Sequence, residues 1–140
     1  MTLDLSSLRR AVASLERAIA VCQDASFFSH LNTDQQNTLR AGVIQNFEFT
    51  YELCWKFMKR WIENNVSPFK GEGIARRELF RMAAENGLIV NIDEWMDFHE
   101  ARNATSHSYD QQVATRVAEM AIRFLPRARE LLDAIDKRNA

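Results

Sequence analysis

Apolar residues recur every three or four positions along most of the chain, which is the spacing of an amphipathic helix. The first such stretch predicts a helix over about residues 5–22, with Asp4 as its N-terminal cap. A longer helix begins after Thr33, where Gln36 completes a capping box, and continues to about Asn64. Its apolar surface is wider than one stripe, as expected of a helix that lies centrally in a bundle or also meets a partner.

Two further helices are predicted after a turn-rich connection. Serine, proline and glycine residues between positions 67 and 73 indicate a loop, and a third helix over about 74–86 stops at Gly87. Asn91 is the expected cap of the fourth helix, and the Glu94 side chain is expected to reach back to it.

A polar stretch at 103–110 precedes a fifth helix, which covers about residues 111–136 and should kink at Pro126. No segment alternates apolar and polar residues over the length of a strand. The pattern therefore predicts a single domain over residues 1–140 with an all-α fold, an up-and-down antiparallel bundle of about five helices.

Composition and charge exclude several classes of protein. Of the 140 residues, 46% are hydrophobic and 26% charged, as in ordinary soluble domains. Eighteen basic and nineteen acidic residues give a net charge of −1, which offers no bulk attraction for nucleic acid or membranes. Because the chain shows neither a secretory signal nor a membrane span, we expect a cytoplasmic protein with Cys22 and Cys54 as reduced core residues.

The sequence lacks the motifs of common metal and cofactor sites. It has no glycine-rich phosphate loop, CxxC pair, HExxH motif or Glu-x-x-His pair, so we expect neither a metal nor a cofactor. Three histidines remain as candidates for chemistry. His30 and His99 are expected to have structural or solvent-exposed roles, whereas His107 lies among unusual neighbours.

A dense set of polar side chains surrounds His107. The segment runs Arg102, Asn103, Ala104, Thr105, Ser106, His107, Ser108 and Tyr109. On an uninterrupted helix Arg102 and His107 would lie about 140° apart. They converge only if the helix ends or tightens near residues 104–106, where serine and threonine compete for backbone hydrogen bonds, or if His107 faces Arg102 of a second subunit.

Such a set permits phosphoryl transfer within RNA. An imidazole can take the proton of a ribose 2′-hydroxyl or deliver one to the leaving oxygen. A guanidinium can bind the scissile phosphate with two donors and offset its developing charge, without a metal. The structural alternative is a helix C-terminus in which Arg102 forms a buried ion pair and the hydroxyls act as caps. The residues alone leave both open.

The Arg-x4-His-x-Tyr motif at Arg102 resembles the signature of the HEPN superfamily. More narrowly, the chain is similar to the HepT-like family, which is also described as nucleotidyltransferase substrate-binding proteins. The resemblance covers about residues 5–135, because stretches 44–56 and 83–89 and Trp95 match in the same order.

This resemblance implies a homodimer and a partner, a minimal nucleotidyltransferase of the polymerase-β type. It makes Arg102 and His107 the ribonuclease pair and Asn103 the polar residue that follows the arginine. Tyr109 would be the residue that the partner modifies with AMP. We add Ser106 as a further residue expected to bind or support substrate.

Three functions are compatible with these observations. The first, which we favour, is a toxin-like ribonuclease of a toxin–antitoxin pair, silenced when the nucleotidyltransferase adenylylates Tyr109. The second is a non-catalytic substrate-binding subunit of a two-component nucleotidyltransferase. The third is a dimerisation bundle without chemistry of its own.

Two local charge clusters bear on possible partners. Seven basic residues against three acidic ones between positions 56 and 81 could contact an RNA backbone or be solvated helix faces. The basic residues are Lys56, Lys59, Arg60, Lys70, Arg76, Arg77 and Arg81, and the acidic ones are Glu63, Glu72 and Glu78. An acidic face without an intervening base suits a basic protein partner. It comprises Asp93, Glu94, Asp97 and Glu100.

A four-residue spacing relates Glu48, Glu52, Lys56 and Arg60 on the second helix. As surface pairs they would each contribute about 0.3–0.5 kcal/mol. Alternatively, Glu48 or Glu52 turns inward and holds Arg102, because aromatic residues flank both glutamates.

Overall fold

The computed structural model describes residues 2–66, 68 and 73–139. This part of the chain contains helices and no strand, so the predicted all-α fold is confirmed. Its elements are α1 (Ser6–Gln23), α2 (Ala25–Phe28), α3 (Thr33–Asn65), α4 (Arg76–Glu85), α5 (Ile92–Ala104), a 3₁₀ turn (Thr105–His107) and α6 (Gln111–Arg138). Most of the predicted loop, including Ser67, Gly71 and Glu72, lies outside the described residues.

Side-chain and glycine caps set the helix ends. The capping box of α3 is formed by Asn32 and Gln35, one residue earlier than predicted. Asn91 caps α5 by accepting a hydrogen bond from the backbone N–H of Glu94, as expected. The Glu94 side chain does not reach back to this cap, because its carboxylate binds Arg127 on α6 instead.

Asp4 and Gly87 lie at the start of α1 and at the end of α4. The Asp4 carboxylate accepts a hydrogen bond from the backbone N–H of Ser6, although Leu5 holds the cap position itself. Gly87 ends α4 with a φ of 77°, a left-handed conformation that favours glycine.

The long helix α3 lies at the centre of the bundle and contacts α1, α4, α5 and α6. These contacts on several sides explain its broad apolar surface. The core is richest in aromatic rings around Phe124 of α6, which meets Phe47 and Phe98 edge-on with ring centroids 5.1 Å apart. Trp95 packs against the same ring at 5.7 Å. The core therefore fixes α5, and with it the segment that follows, against α3 and α6.

The two cysteines behave as small core residues. Cys54 is fully buried and Cys22 partly buried, and neither forms a disulfide. Burial raises the pKa of both thiols, which keeps them protonated. Helix α6 continues through Pro126, and none of the described helices is long and apolar enough to cross a membrane.

Candidate active site at the end of α5

The candidate site begins where α5 gives way to the 3₁₀ turn. The hydroxyl of Thr105 donates to the carbonyl oxygen of Arg102 at 2.7 Å. The hydroxyl of Ser106 donates to the carbonyl oxygen of Asn103 at 3.2 Å. These side chains take over acceptors at the end of the helix, so the backbone tightens at the serine- and threonine-containing run, one of the two possibilities that the sequence left open.

Two carboxylates of α3 surround the guanidinium of Arg102. Its Nε lies 3.2 Å from Oε1 of Glu52, and its Nη1 lies 3.8 Å from Oε2 of Glu48. Nη1 also donates to the Thr105 hydroxyl at 3.1 Å. Of the two alternatives for these glutamates, the structure shows the contact with Arg102, which places the cation against the central helix.

The Arg102–Glu52 contact is charge pairing without a hydrogen bond. Nε is buried and has no hydrogen-bond acceptor in suitable geometry, although the carboxylate is within ion-pairing distance. The Arg102 side chain keeps 31% of its surface exposed. No described residue accepts a hydrogen bond from its Nη2, so donor capacity remains for an anion.

His107 and Tyr109 lie beyond the helix and face solvent. Tyr109 is 86% exposed, and its ring meets that of His107 edge-on with centroids 6.0 Å apart. Within one chain, no described contact joins the His107 imidazole to the Arg102 guanidinium. The structure thus gives an anchored cation, followed by an exposed imidazole and an exposed phenol.

A second polar network lies beside Arg102 and was not predicted. The Tyr51 hydroxyl lies 2.8 Å from Nδ1 of His99. Arg76 donates to the same hydroxyl at 3.5 Å, and its guanidinium stacks 3.7 Å from the centroid of Trp55. The indole N–H of Trp55 in turn donates to Oε2 of Glu52 at 3.0 Å, so this network supports the carboxylate that pairs with Arg102.

His99 is therefore a half-buried part of this network and does not simply face solvent. Burial, followed by the nearby Arg76 charge, lowers its pKa, and burial raises the pKa of Tyr51. A neutral His99 can accept a hydrogen bond from the Tyr51 hydroxyl at Nδ1, while Nε2 lies 3.5 Å from the Asn103 amide. The sequence signal for this placement is spacing, because His99 precedes Arg102 by three residues and Asn103 by four.

The charge clusters are more compensated than the sequence suggests. The acidic face does contain bases, because Arg77 of α4 binds Asp93 at 3.1 Å and Arg127 of α6 binds Glu94 at 2.7 Å. The prediction of an uninterrupted acidic face was wrong because it considered one helix alone. Arg81 pairs with Glu78 and Glu85, and Lys59 with Glu63, whereas Lys70 and Glu72 lie outside the described residues.

Among the described residues no cluster of three histidine, cysteine or acidic side chains could hold a metal ion.

Comparison with known proteins identifies the family. Residues 3–137 match the family described as "Nucleotidyltransferase substrate binding protein like". The chain belongs to this family. A relative named "Probable ribonuclease HepT", from Haemophilus influenzae, is 36% identical over a match that covers 98% of this chain and 94% of the relative. The HepT-like resemblance is thereby confirmed.

Solved structures of similar proteins have the same fold. A Haemophilus influenzae protein is described as revealing the fold of a substrate-binding domain of a nucleotidyltransferase. It superposes with a TM-score of 0.90 at 34% identity, covering 95% of this family member and 99% of that chain. A Thermus thermophilus protein shares the fold with a TM-score of 0.57 at 24% identity, covering 89% and 97% of the two chains.

Proposed function

We propose that this family member is a metal-independent, HEPN-type endoribonuclease in which Arg102 and His107 act on one RNA phosphodiester. The observation that carries the proposal is the geometry at the end of α5. Arg102 is held by Glu48 and Glu52 with donor capacity left over, and the exposed His107 follows through a single 3₁₀ turn. The relative named a probable ribonuclease supports this assignment.

In the proposed reaction, His107 takes the proton of a ribose 2′-hydroxyl. The 2′-oxygen attacks the adjacent phosphorus and the bond to the 5′-oxygen breaks, leaving a 2′,3′-cyclic phosphate and a 5′-hydroxyl that takes its proton from solvent. Arg102 binds the phosphate and offsets the charge that develops on its oxygens. Asn103 and Ser106 would help to bind the substrate.

We further propose that the active form is a homodimer. The guanidinium and imidazole of one chain make no described contact, whereas His107 is exposed and able to approach a second copy. A cleft between two chains would bring both kinds of group to one phosphate, because a two-fold axis places the same surface of each copy against the other.

Tyr109 is the proposed control point in a toxin–antitoxin pair. Its phenolic oxygen would attack the α-phosphorus of ATP on a minimal nucleotidyltransferase, breaking the bond to the β-phosphate and releasing pyrophosphate and the phenol proton. The side chain is 86% exposed and lies against His107. An attached AMP would therefore block RNA through its bulk and its negative charge.

The second candidate is a non-catalytic subunit that presents substrate to the nucleotidyltransferase. One observation favours it: the two carboxylates beside Arg102 already offset much of its charge. This reduces its attraction for a phosphate, although it does not occupy the Nη2 donor.

The two candidates differ in a direct cleavage assay. The purified protein is incubated with total RNA in EDTA, beside Arg102→Ala, His107→Ala and, as a matched control, Arg17→Ala on the exposed side of α1. We expect cleavage by the parent and the control, and a loss of about 100-fold or more in the two site variants. An inactive parent, or cleavage that His107→Ala leaves unchanged, would refute the ribonuclease proposal and favour the subunit.

A further inference from the structure

A cavity of about 160 Å³ lies beside Tyr109, between the first part of α3 and the beginning of α6. Polar groups from both sides line it, namely Asn37 and Arg40 from α3, and Ser108 and Gln111 from the other side. An engineered cavity of about 150 Å³ holds one benzene ring. The space beside Tyr109 therefore suits a phosphate with part of a sugar and is too small for a whole nucleotide.

Arg40 is the notable member of this lining because its charge has no acidic partner in the part of the chain that the structure describes. The side chain is half-buried, its Nη1 donates to Oδ1 of Asn37 at 3.1 Å, and the guanidinium lies 5.7 Å from the centroid of Phe28. Both partners are neutral. Glu119 borders a neighbouring cavity with Arg40, but among the described residues no carboxylate lies within 4.0 Å of this guanidinium.

A partly desolvated cation without a carboxylate favours an anion that can reach it. Phosphate oxygens match the planar fork of a guanidinium and accept hydrogen bonds from amide and hydroxyl groups. The Asn37 amide, the Ser108 hydroxyl and the Gln111 amide are available on the walls of the same cavity.

We propose that Arg40 and this cavity bind the phosphate that becomes attached to the Tyr109 oxygen. The inference rests on the proposed modification of Tyr109 and adds a site on α3 that recognises the modified residue. The attached phosphate would dock between α3 and the start of α6, with the nucleoside base left outside. Docking would hold the modified tyrosine beside His107 and so favour the silenced state.

The test uses phosphotyrosine placed at position 109 of the full chain by genetic-code expansion, which requires no nucleotidyltransferase. The ionisation of this phosphate is followed by ³¹P NMR at low ionic strength, in the parent and in Arg40→Gln. A guanidinium in contact favours the dianion, so we expect the second phosphate pKa to be about 0.5–1 unit lower in the parent than in Arg40→Gln.

Three further variants in the phosphotyrosine background complete the experiment. Arg17→Gln should leave the phosphate pKa unchanged, and His107→Gln measures the separate contribution of the neighbouring imidazole. Arg40→Lys keeps the charge and should recover part of the shift even if Arg40→Gln is less stable. Equal phosphate pKa values in the parent, Arg40→Gln and Arg40→Lys would overturn the inference.

Failure here is distinguishable from failure of the proposed function. Mass spectrometry of Tyr109 after incubation with the nucleotidyltransferase and ATP tests whether the modification occurs at all. A modified tyrosine combined with an unshifted phosphate would refute the Arg40 site while leaving the silencing proposal in place.

Discussion

Removing the charge of Glu52 tests how Arg102 is held. The substitution Glu52→Gln keeps the size of the side chain and an oxygen that can accept from the Trp55 indole, now 3.0 Å away. It removes the charge that lies 3.2 Å from Nε of Arg102. Glu48→Gln is the matched control, because its carboxylate lies 3.8 Å from Nη1 of the same guanidinium.

The expected size of the effect follows from distance and exposure. Each of these three side chains is about one-third exposed, with values of 31% for Arg102, 33% for Glu48 and 34% for Glu52, so solvent screens the pairs substantially. Exposed ion pairs couple by about 0.2–1 kcal/mol, and charged hydrogen bonds contribute about 1.5–3 kcal/mol. Because Nε makes no hydrogen bond, we expect about 1 kcal/mol for Glu52–Arg102 and about half of that for Glu48–Arg102.

Double-mutant cycles with Arg102→Gln measure both couplings. The free energy of unfolding is determined in urea for each single and double variant, at low and at high salt. We expect the Glu52 coupling to exceed the Glu48 coupling and both to decrease with salt. A Glu52 coupling indistinguishable from zero, or a larger one for Glu48, would show that these carboxylates do not hold the guanidinium as the distances indicate.

Three further predictions concern stability. Phe124→Ala should lower the free energy of unfolding by about 3–5 kcal/mol, because its fully buried ring joins four aromatic neighbours, and a loss below about 2 kcal/mol in urea would contradict this. Gly87→Ala should lower the free energy of unfolding by about 1–2 kcal/mol, since φ is 77° and the new methyl would meet the Arg138 side chain at 2.6 Å. Gly87→Asn should lower it less in the same urea assay, because asparagine tolerates a positive φ better than alanine does. The pKa of His99 is lowered in the folded state, so the unfolded chain binds more protons than the folded chain as the pH falls below 6.5. The free energy of unfolding should therefore fall from pH 7 to pH 5. His99→Gln should make the free energy of unfolding less dependent on pH in this range, and an unchanged slope would refute the role assigned to His99.

The helices were predictable because periodicity and caps are local properties. The start of α3 was displaced by one residue for a physical reason, since Asn32 and Thr33 are both good caps and each has a glutamine three positions later. Helix α2 (Ala25–Phe28) was missed because a single turn is too short to show a period. Periodicity therefore defines long helices well and says little about one-turn helices.

The site was predictable where it depended on neighbours in the sequence. The tightening after Ala104 follows from the local hydroxyl groups. The Arg102–Glu52 contact joins two helices and was one of two alternatives, suggested by the aromatic residues beside the glutamate. The Tyr51–His99 contact was missed because its partners are 48 residues apart on different helices. Pairing across helices depends on their rotation in the bundle, which the pattern along either helix leaves undetermined.

The charged side chains of α3 determine which part of the candidate site is held rigidly. Glu48 and Glu52 are one helical turn apart and fix Arg102, while Arg40 lies further toward the start of the same helix, beside Tyr109. A guanidinium positioned by a packed helix keeps its place, whereas His107, beyond the end of α5, is fixed mainly by a 3₁₀ turn and a neighbouring ring. In the proposed ribonuclease, the cation is thus preorganised for the phosphate and the imidazole must be positioned by substrate or by a second chain. A modification that held Tyr109 against α3 would act on His107, the less constrained member of the catalytic pair. A small free energy is then enough to keep the imidazole out of the geometry needed for cleavage.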